Sequence, residues 1–172
     1  MEDMIQLIEP VIPGLRRYAN ALVRNPADAD DLVQDCLERA VARWGQRRSG
    51  GDTRSWLYAI LHNLAVSRWR TANRRGSTTP LDAVDPAALS VAPLQDQILA
   101  RSDVLRALDT LPEEYRAVIL LVTVEDLSYA ETARVLDIPT GTVMSRLSRG
   151  RARLASALAG AAPAVPHLRR VK

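Results

Sequence analysis

Thr142, Ser145, Arg146, Arg149, Arg151 and Arg153 are the side chains of this sequence best suited to grip a polyanion. Arginine presents a planar fork of donors that matches phosphate oxygens and the guanine edge, and hydroxyls add short hydrogen bonds. No acid falls in residues 140–154 to neutralise them. The chemistry on offer is recognition rather than bond making. Elsewhere there is no phosphate-binding glycine loop, no nucleophile motif and no paired catalytic carboxylates. No histidine, cysteine and carboxylate set has metal-ligand spacing either. The expectation is a non-enzyme with no cofactor and no metal.

Two helical patterns must position those residues, within LSYAETARVLDIPTGTVMSRLSRGRARL at 127–154. Ser128 and Glu131 have the spacing of a capping box, which starts the first helix at Ser128. Ala130, Ala133, Val135 and Leu136 are its inward candidates, Ala133 being small enough for close approach of a second helix. Asp137, Ile138 and Pro139 break the pattern, because proline disfavours helix in the residue before it. Thr140 to Leu154 resumes helical spacing, with Val143, Leu147 and Leu154 apolar. This reads as a helix-turn-helix whose second helix enters a DNA major groove. A helical hairpin with a solvated basic face is the alternative.

Residues 4–23 repeat apolar side chains on one helical face, and Pro10 and Pro13 delay the firm part of that helix to near Pro13. Asn25-Pro26 marks a turn. Asp28, Asp30 and Asp31 then fall near the first turn of a helix running through Leu32, Val33, Cys36, Leu37, Ala40 and Val41 to Trp44, where negative charge suits the dipole. A polar loop spans Gly45–Ser55, followed by an apolar helix over Trp56–Trp69. Arg68, Arg70, Arg74 and Arg75 close that helix, either as a structural C-terminal charge cluster or as a phosphate grip.

Residues 76–93 are rich in Ser, Thr, Pro and Ala, with Asp82 and Asp85 and no base, a linker composition. Helical spacing returns from Gln97. Pro112 is expected at the first helical position before Glu113 and Glu114, and Val118–Val124 is the buried helix of this half. The tail from Gly160 ends in Arg169, Arg170 and Lys172 and is expected to fray. The fold class is therefore all-α: two small helical domains joined by a flexible linker, the second containing the helix-turn-helix. The boundaries are 1–76, linker 77–94, 95–158 and a basic tail 159–172.

The 47% apolar share is ample for a core, while the net charge of +3 is modest, so charge clustering matters more than its sum. Of the 23 basic residues only Lys172 is lysine; selection for arginine forks and a GC-rich genome both produce that bias. The single Cys36 rules out an intramolecular disulfide and is read as a buried thiol in a reducing compartment. The acidic start MEDMIQLIEP is not a signal peptide, and no apolar run reaches the ~20 residues of a spanning helix. A cytoplasmic protein without membrane insertion is expected.

DADDLVQDCLERA, WLYAILHNLAVSRWR, LPEEYR and the 127–154 segment occur in an order that resembles the extracytoplasmic-function (ECF) sigma factors of the sigma-70 family. The resemblance covers about residues 10–158. VQDCLERA and ILHNL are similar to the general-stress-response branch. The resemblance implies that Asp30, Asp31, Leu32, Val33, Gln34 and Asp35 dock on the β′ clamp helices of core RNA polymerase, with the β flap as a further contact. It implies that Asn63 lies at the pocket for a flipped −10 base, with Trp56, Arg68 and Arg70 on the same DNA path. It implies that Ser145, Arg146 and Arg149 read the −35 element while Thr142, Arg151 and Arg153 hold the backbone.

The sequence departs from the family pattern in three places. No aromatic occurs in Arg47–Arg54, Met144 stands where a base is common, and Ser148 where a bulkier residue is common. Trp56 and Tyr58 offer stacking faces, although Trp56 also begins an apolar helix. His62 is read as a packing or surface residue. The function implied is promoter recognition and −10 opening with core polymerase, under an anti-sigma factor. The alternatives are an ordinary helix-turn-helix repressor or activator and an interaction module that sequesters a sigma regulator.

Overall fold

A computed structural model describes residues 2–23, 25–47, 51–74 and 103–161; among them every regular element is helical. The readings for linker 77–94, for the chain before position 103, for Arg75 and for the tail beyond 161 lie outside the described residues. In chain order the helices are α1 (Glu2–Ile8), α2 (Ile12–Val23), α3 (Pro26–Ala42), α4 (Thr53–Arg74), α5 (residues 103–109), α6 (Glu113–Ile119), α7 (Tyr129–Leu136) and α8 (Thr140–Ala161).

α2, α3 and α4 pack on one another as the first half. Leu15, Tyr18, Ala19, Leu22, Leu32, Val33, Cys36, Leu57, Tyr58 and Leu61 fill their core. Pro10 falls in a 3-10 turn, Glu9–Val11, that separates α1 from α2, so the proline punctuates the pattern as its missing N–H requires. Asn25-Pro26 proves to be the helix start itself. The Asn25 carboxamide accepts from Ala27 N at 2.9 Å and Asp28 N at 3.4 Å, with Pro26 at the first helical position.

α3 ends at Ala42, two residues before the expected Trp44. Trp44 instead lies in a 3-10 turn, edge-on to Trp56 with ring centroids 6.1 Å apart. α4 starts earlier than expected, at Thr53, because Asp52 caps it: Oδ1 accepts from Arg54 N at 3.0 Å and Oδ2 from Ser55 N at 3.2 Å.

The second half packs α6 against α8, with α7 against α8. Pro112 is the N-cap and Glu113 the first helical residue, one position later than expected. The expected helix through Val124 does continue past α6, but as a π-turn over Leu120–Val124, in which Glu125 N bonds Leu120 O at 3.0 Å. That extra residue per turn lets Leu120 and Leu121 stay buried while Val124 is 48% exposed.

The capping box at Ser128 is formed on both sides, at 3.2 Å from Glu131 N to Ser128 Oγ and 2.7 Å from Ser128 N to the Glu131 carboxylate. Ala130 points outward, contrary to expectation; Thr132, Ala133 and Val135 carry the inner face. Asp137 ends α7 at φ 52°, ψ 50°, the left-handed conformation that lets Ile138 N reach Ala133 O at 3.1 Å. α8 then begins on Pro139, whose carbonyl accepts from Thr142 N and Val143 N. At 22 residues α8 is about 33 Å long and outruns the expected end at Leu154.

Candidate nucleic-acid and polymerase interfaces

α8 buries Val143, Leu147 and Gly150 and leaves Met144, Ser145, Ser148, Arg149, Arg151 and Arg153 exposed. The spacing of the buried set fixes which residues look outward, so one helix presents hydroxyls, arginines and the flexible Met144 side by side. The arginines are not equivalent. Arg153 lies over the Tyr115 ring, 4.7 Å from its centroid. Arg146 is paired with Glu114 of α6 at 3.0 Å, and its side chain is only 28% exposed. Arg149 and Arg151 stand on the open face.

On α3, Asp30, Asp31, Gln34 and Asp35 are exposed, while Leu32 is fully buried and supports that ridge from beneath. Gln34 bonds Glu38 at 3.0 Å, and Asp30 approaches Arg16 at 4.0 Å. Asp35 accepts from Arg68 at 2.7 Å, and Arg68 also reaches Asp28 O at 3.2 Å. Asp35, expected on the polymerase side, and Arg68, expected on the DNA path, instead pair with each other and clip α3 to α4. On α4, Asn63 and Arg70 are exposed and Trp56 is half-buried.

Residues 8–62 match the family described as the Sigma2 domain of PhyR, and residues 101–154 match Sigma-70, region 4. An ECF RNA polymerase sigma factor, EcfG, of Rhodopseudomonas palustris is 35% identical over 147 residues, covering 86% of this chain and 80% of its own. This chain is an ECF RNA polymerase sigma factor. The similarity extends to SigM of Mycobacterium tuberculosis, 40% identical over 84% of this chain and 71% of that protein. Among solved structures, the sigma factor RpoE of Bartonella quintana in complex with the anti-sigma factor NepR superposes with a TM-score of 0.79 at 32% identity, covering 92% and 98% of the two chains. CnrH in complex with the cytosolic domain of CnrY gives 0.68 at 26% identity, covering 91% and 88%.

As a sigma factor the chain directs RNA polymerase to promoters, with region 4 supplying DNA binding. No described helix is long and apolar enough to cross a membrane, and no described group of three or more His, Cys, Asp or Glu could hold a metal ion. Cys36 is fully buried, its thiol donating to Leu57 O at 3.5 Å, and burial pushes it up to about 12. A thiolate is thereby suppressed.

Three residues of the sigma factor escaped the sequence reading as functional positions. Nothing in the local sequence around Arg17, Arg116 or Glu125 marks their partners. Glu125 is 1% exposed and joins the two halves; Arg116 is 5% exposed and closes the turn between α5 and α6. His62, read as packing or surface, shares a cleft between the halves with Glu113, Glu114, Ala117, Leu136 and Arg146. Burial also raises Glu113 above the usual carboxylate range, against the pull of Arg116 and Arg70.

Tyr18 Oη and His62 Nδ1 share a hydrogen bond at 3.0 Å. Burial holds His62 down at about 4, against 6.5 when free. The unfolded chain therefore binds the proton first. The stability that neutral His62 contributes is present above pH 6.5 and is lost as pH drops toward 4, by about 2 kcal/mol at pH 5 and about 3 kcal/mol near pH 4. Urea unfolding between pH 7 and 5 should show this slope, and His62→Gln, whose amide can still hydrogen-bond Tyr18, should flatten it. An equal slope in both proteins would assign the loss to other groups.

Proposed function

We propose that the chain works as a two-handed promoter reader built from residues 1–76 and 95–158, with 77–94 as tether and 159–172 as a basic tail. The first half docks on the β′ clamp helices of core polymerase through Asp30, Asp31, Gln34 and Asp35, with Leu32 shaping the ridge from within. Asn63 takes a −10 base edge, and Trp56, Arg68 and Arg70 flank the melted strand. The second half contacts the β flap and reads the −35 element with Ser145, Arg146 and Arg149. Thr142, Arg151 and Arg153 fix the register on phosphates.

The observation that carries this reading is the exposed row Ser145, Arg149 and Arg151 on a helix set behind a capped turn. By analogy with RpoE bound to NepR, an anti-sigma factor holds the chain inactive, in a cytoplasmic setting.

Run-off transcription with purified core enzyme is the test. The chain should yield a promoter-dependent transcript, and Asp31→Arg should lose it through weaker association. Arg149→Ala should weaken promoter binding by about 1–3 kcal/mol with reduced discrimination at −35. Equal weakening on random DNA would make Arg149 a phosphate contact alone. One observation favours a second reading: residues 8–62 match a domain described from PhyR, and a complex of PhyR with an anti-sigma factor shares the fold. A chain that binds an anti-sigma factor yet gives no transcript with core enzyme would be a sequestering mimic.

A further inference from the structure

Glu125 is the most deeply buried acid among the described residues, and its partners come from the other half of the chain. Its carboxylate accepts from Arg17 Nε at 3.1 Å, Arg17 Nη2 at 2.9 Å and Tyr58 Oη at 2.6 Å. Its main-chain carbonyl accepts from Arg54. A carboxylate removed from water is strongly disfavoured unless paired and hydrogen-bonded, so this arrangement persists only while the two halves are together.

The surroundings are built to the same end. Gly14 gives Glu125 room, since a Cβ there would lie 2.6 Å from Glu125 Oε2 and collide with Tyr58 Oη. The π-turn and the left-handed Asp126, φ 51°, deliver Glu125 to that spot. Aspartate tolerates this conformation better than most residues. Burial and the hydrogen bond to Glu125 both keep the Tyr58 phenol protonated, hence a donor.

We infer that Arg17, Tyr58 and Arg54 form a carboxylate clamp that Glu125 occupies in cis, locking the sigma factor in a closed state unable to span a promoter. The consequence rests on the promoter-contact reading above. The element names place −10 and −35 about 25 base pairs apart, roughly 85 Å along the duplex at 3.4 Å per pair. In the closed chain His62, beside Asn63, and Arg146 line one cleft. Both hands face one another across a few side chains and cannot hold sites that far apart. Opening must withdraw Glu125 from its clamp, and core polymerase, by holding the halves separately, would draw the equilibrium that way.

Arg17→Glu is the decisive variant, because Arg17 is 57% exposed and its loss leaves the first-half core intact. It sets a second carboxylate against Glu125. Dyes on Asn20→Cys and Ser156→Cys, both exposed, report the separation of the halves, with Cys36 buried and silent. Arg17→Glu should convert a high-transfer population to a low-transfer one and raise affinity for a promoter fragment carrying both elements at least fivefold. Glu125→Gln, which keeps the shape and the Tyr58 contact, should do the same more weakly.

Unchanged transfer in both variants, with melting curves like the parent, overturns the clamp. Opening without a gain in promoter affinity overturns its autoinhibitory role. Absence of any transcript from the parent chain would instead strike the promoter reading, and the transfer measurement would still decide the clamp.

Discussion

Arg116→Ala is expected to unfold the second half of the sigma factor while the first half stays native. Arg116 is 5% exposed, and its guanidinium donates to three carbonyls: Leu108 O at 3.0 Å, Asp109 O at 3.1 Å and Leu111 O at 3.0 Å. These carbonyls end α5 and form the turn into α6, where a helix has no acceptor partners of its own. A positive charge there also answers the negative end of the α5 dipole.

Each hydrogen bond from a charged donor contributes about 1.5–3 kcal/mol, but the three share one side chain and do not add. Alanine would leave buried carbonyls without a donor and open a void beside Leu108 and Leu111, a combined loss of about 3–5 kcal/mol. That approaches the whole stability of a small helical unit. Lysine keeps the charge but not the fork, and should recover part of the loss at most. The three tryptophans, Trp44, Trp56 and Trp69, all lie in the first half. Tryptophan emission then follows one half, and far-UV circular dichroism both. The expected result is an early loss of helicity with tryptophan emission still native. A single transition at the parent temperature would show that Arg116 is dispensable.

What the sequence made legible is what short-range chemistry decides. Ser128 and Glu131 are three residues apart, and the box they form depends on nothing else. Asp137 to Pro139 stops α7 for equally local reasons, and the two-half, all-helical layout follows from apolar spacing. Asn25-Pro26 was visible as a break, and whether it turns the chain or caps a helix depends on where the Asn25 carboxamide points.

Errors begin where tertiary packing outvotes local spacing. Trp44 has the spacing to continue α3, yet it leaves the helix to meet Trp56. Ala130 has the spacing to be inner, yet α4 and α8 approach α7 from sides that leave it in solvent. The candidate site was legible as a set of residue types and not as a set of pairs. Asp35 and Arg68 are 33 positions apart, and nothing local reveals that they meet. Glu125 is the extreme case, with partners 108 and 67 positions away. In sequence it is one of two acids before a helix, and only the closed packing of the halves makes it central.

Gly150 carries the second large effect, and the comparison with its neighbour Arg149 separates positioning from recognition. A glycine inside a 22-residue helix is disfavoured by about 1 kcal/mol relative to alanine, so its place in α8 needs a packing reason. That reason is α6. A Cβ on Gly150 would lie 3.0 Å from Ile119 Cδ1 and 3.2 Å from Tyr115 Cβ. Ile119 Cδ1 is the end of a flexible side chain and can yield, whereas Tyr115 Cβ moves only with the α6 backbone.

Gly150→Ala should therefore change stability by no more than about 1 kcal/mol, the gain in helix propensity offsetting the tight contact. Gly150→Leu has no such balance. Three further carbons would have to displace α6 itself, destabilising the second half by about 3 kcal/mol or more, at the upper end of overpacking. Urea midpoints followed by circular dichroism check both, and a leucine variant as stable as the parent would show that α8 and α6 can separate freely. Where Gly150→Leu remains folded, its α8 is tilted away from Tyr115, so the Arg153 stack and the direction of Ser145 and Arg149 change together. Its −35 binding should fall although every proposed contact residue is still present. Arg149→Ala, one residue away but exposed, should do the reverse: lose discrimination at −35 with the melting curve unmoved.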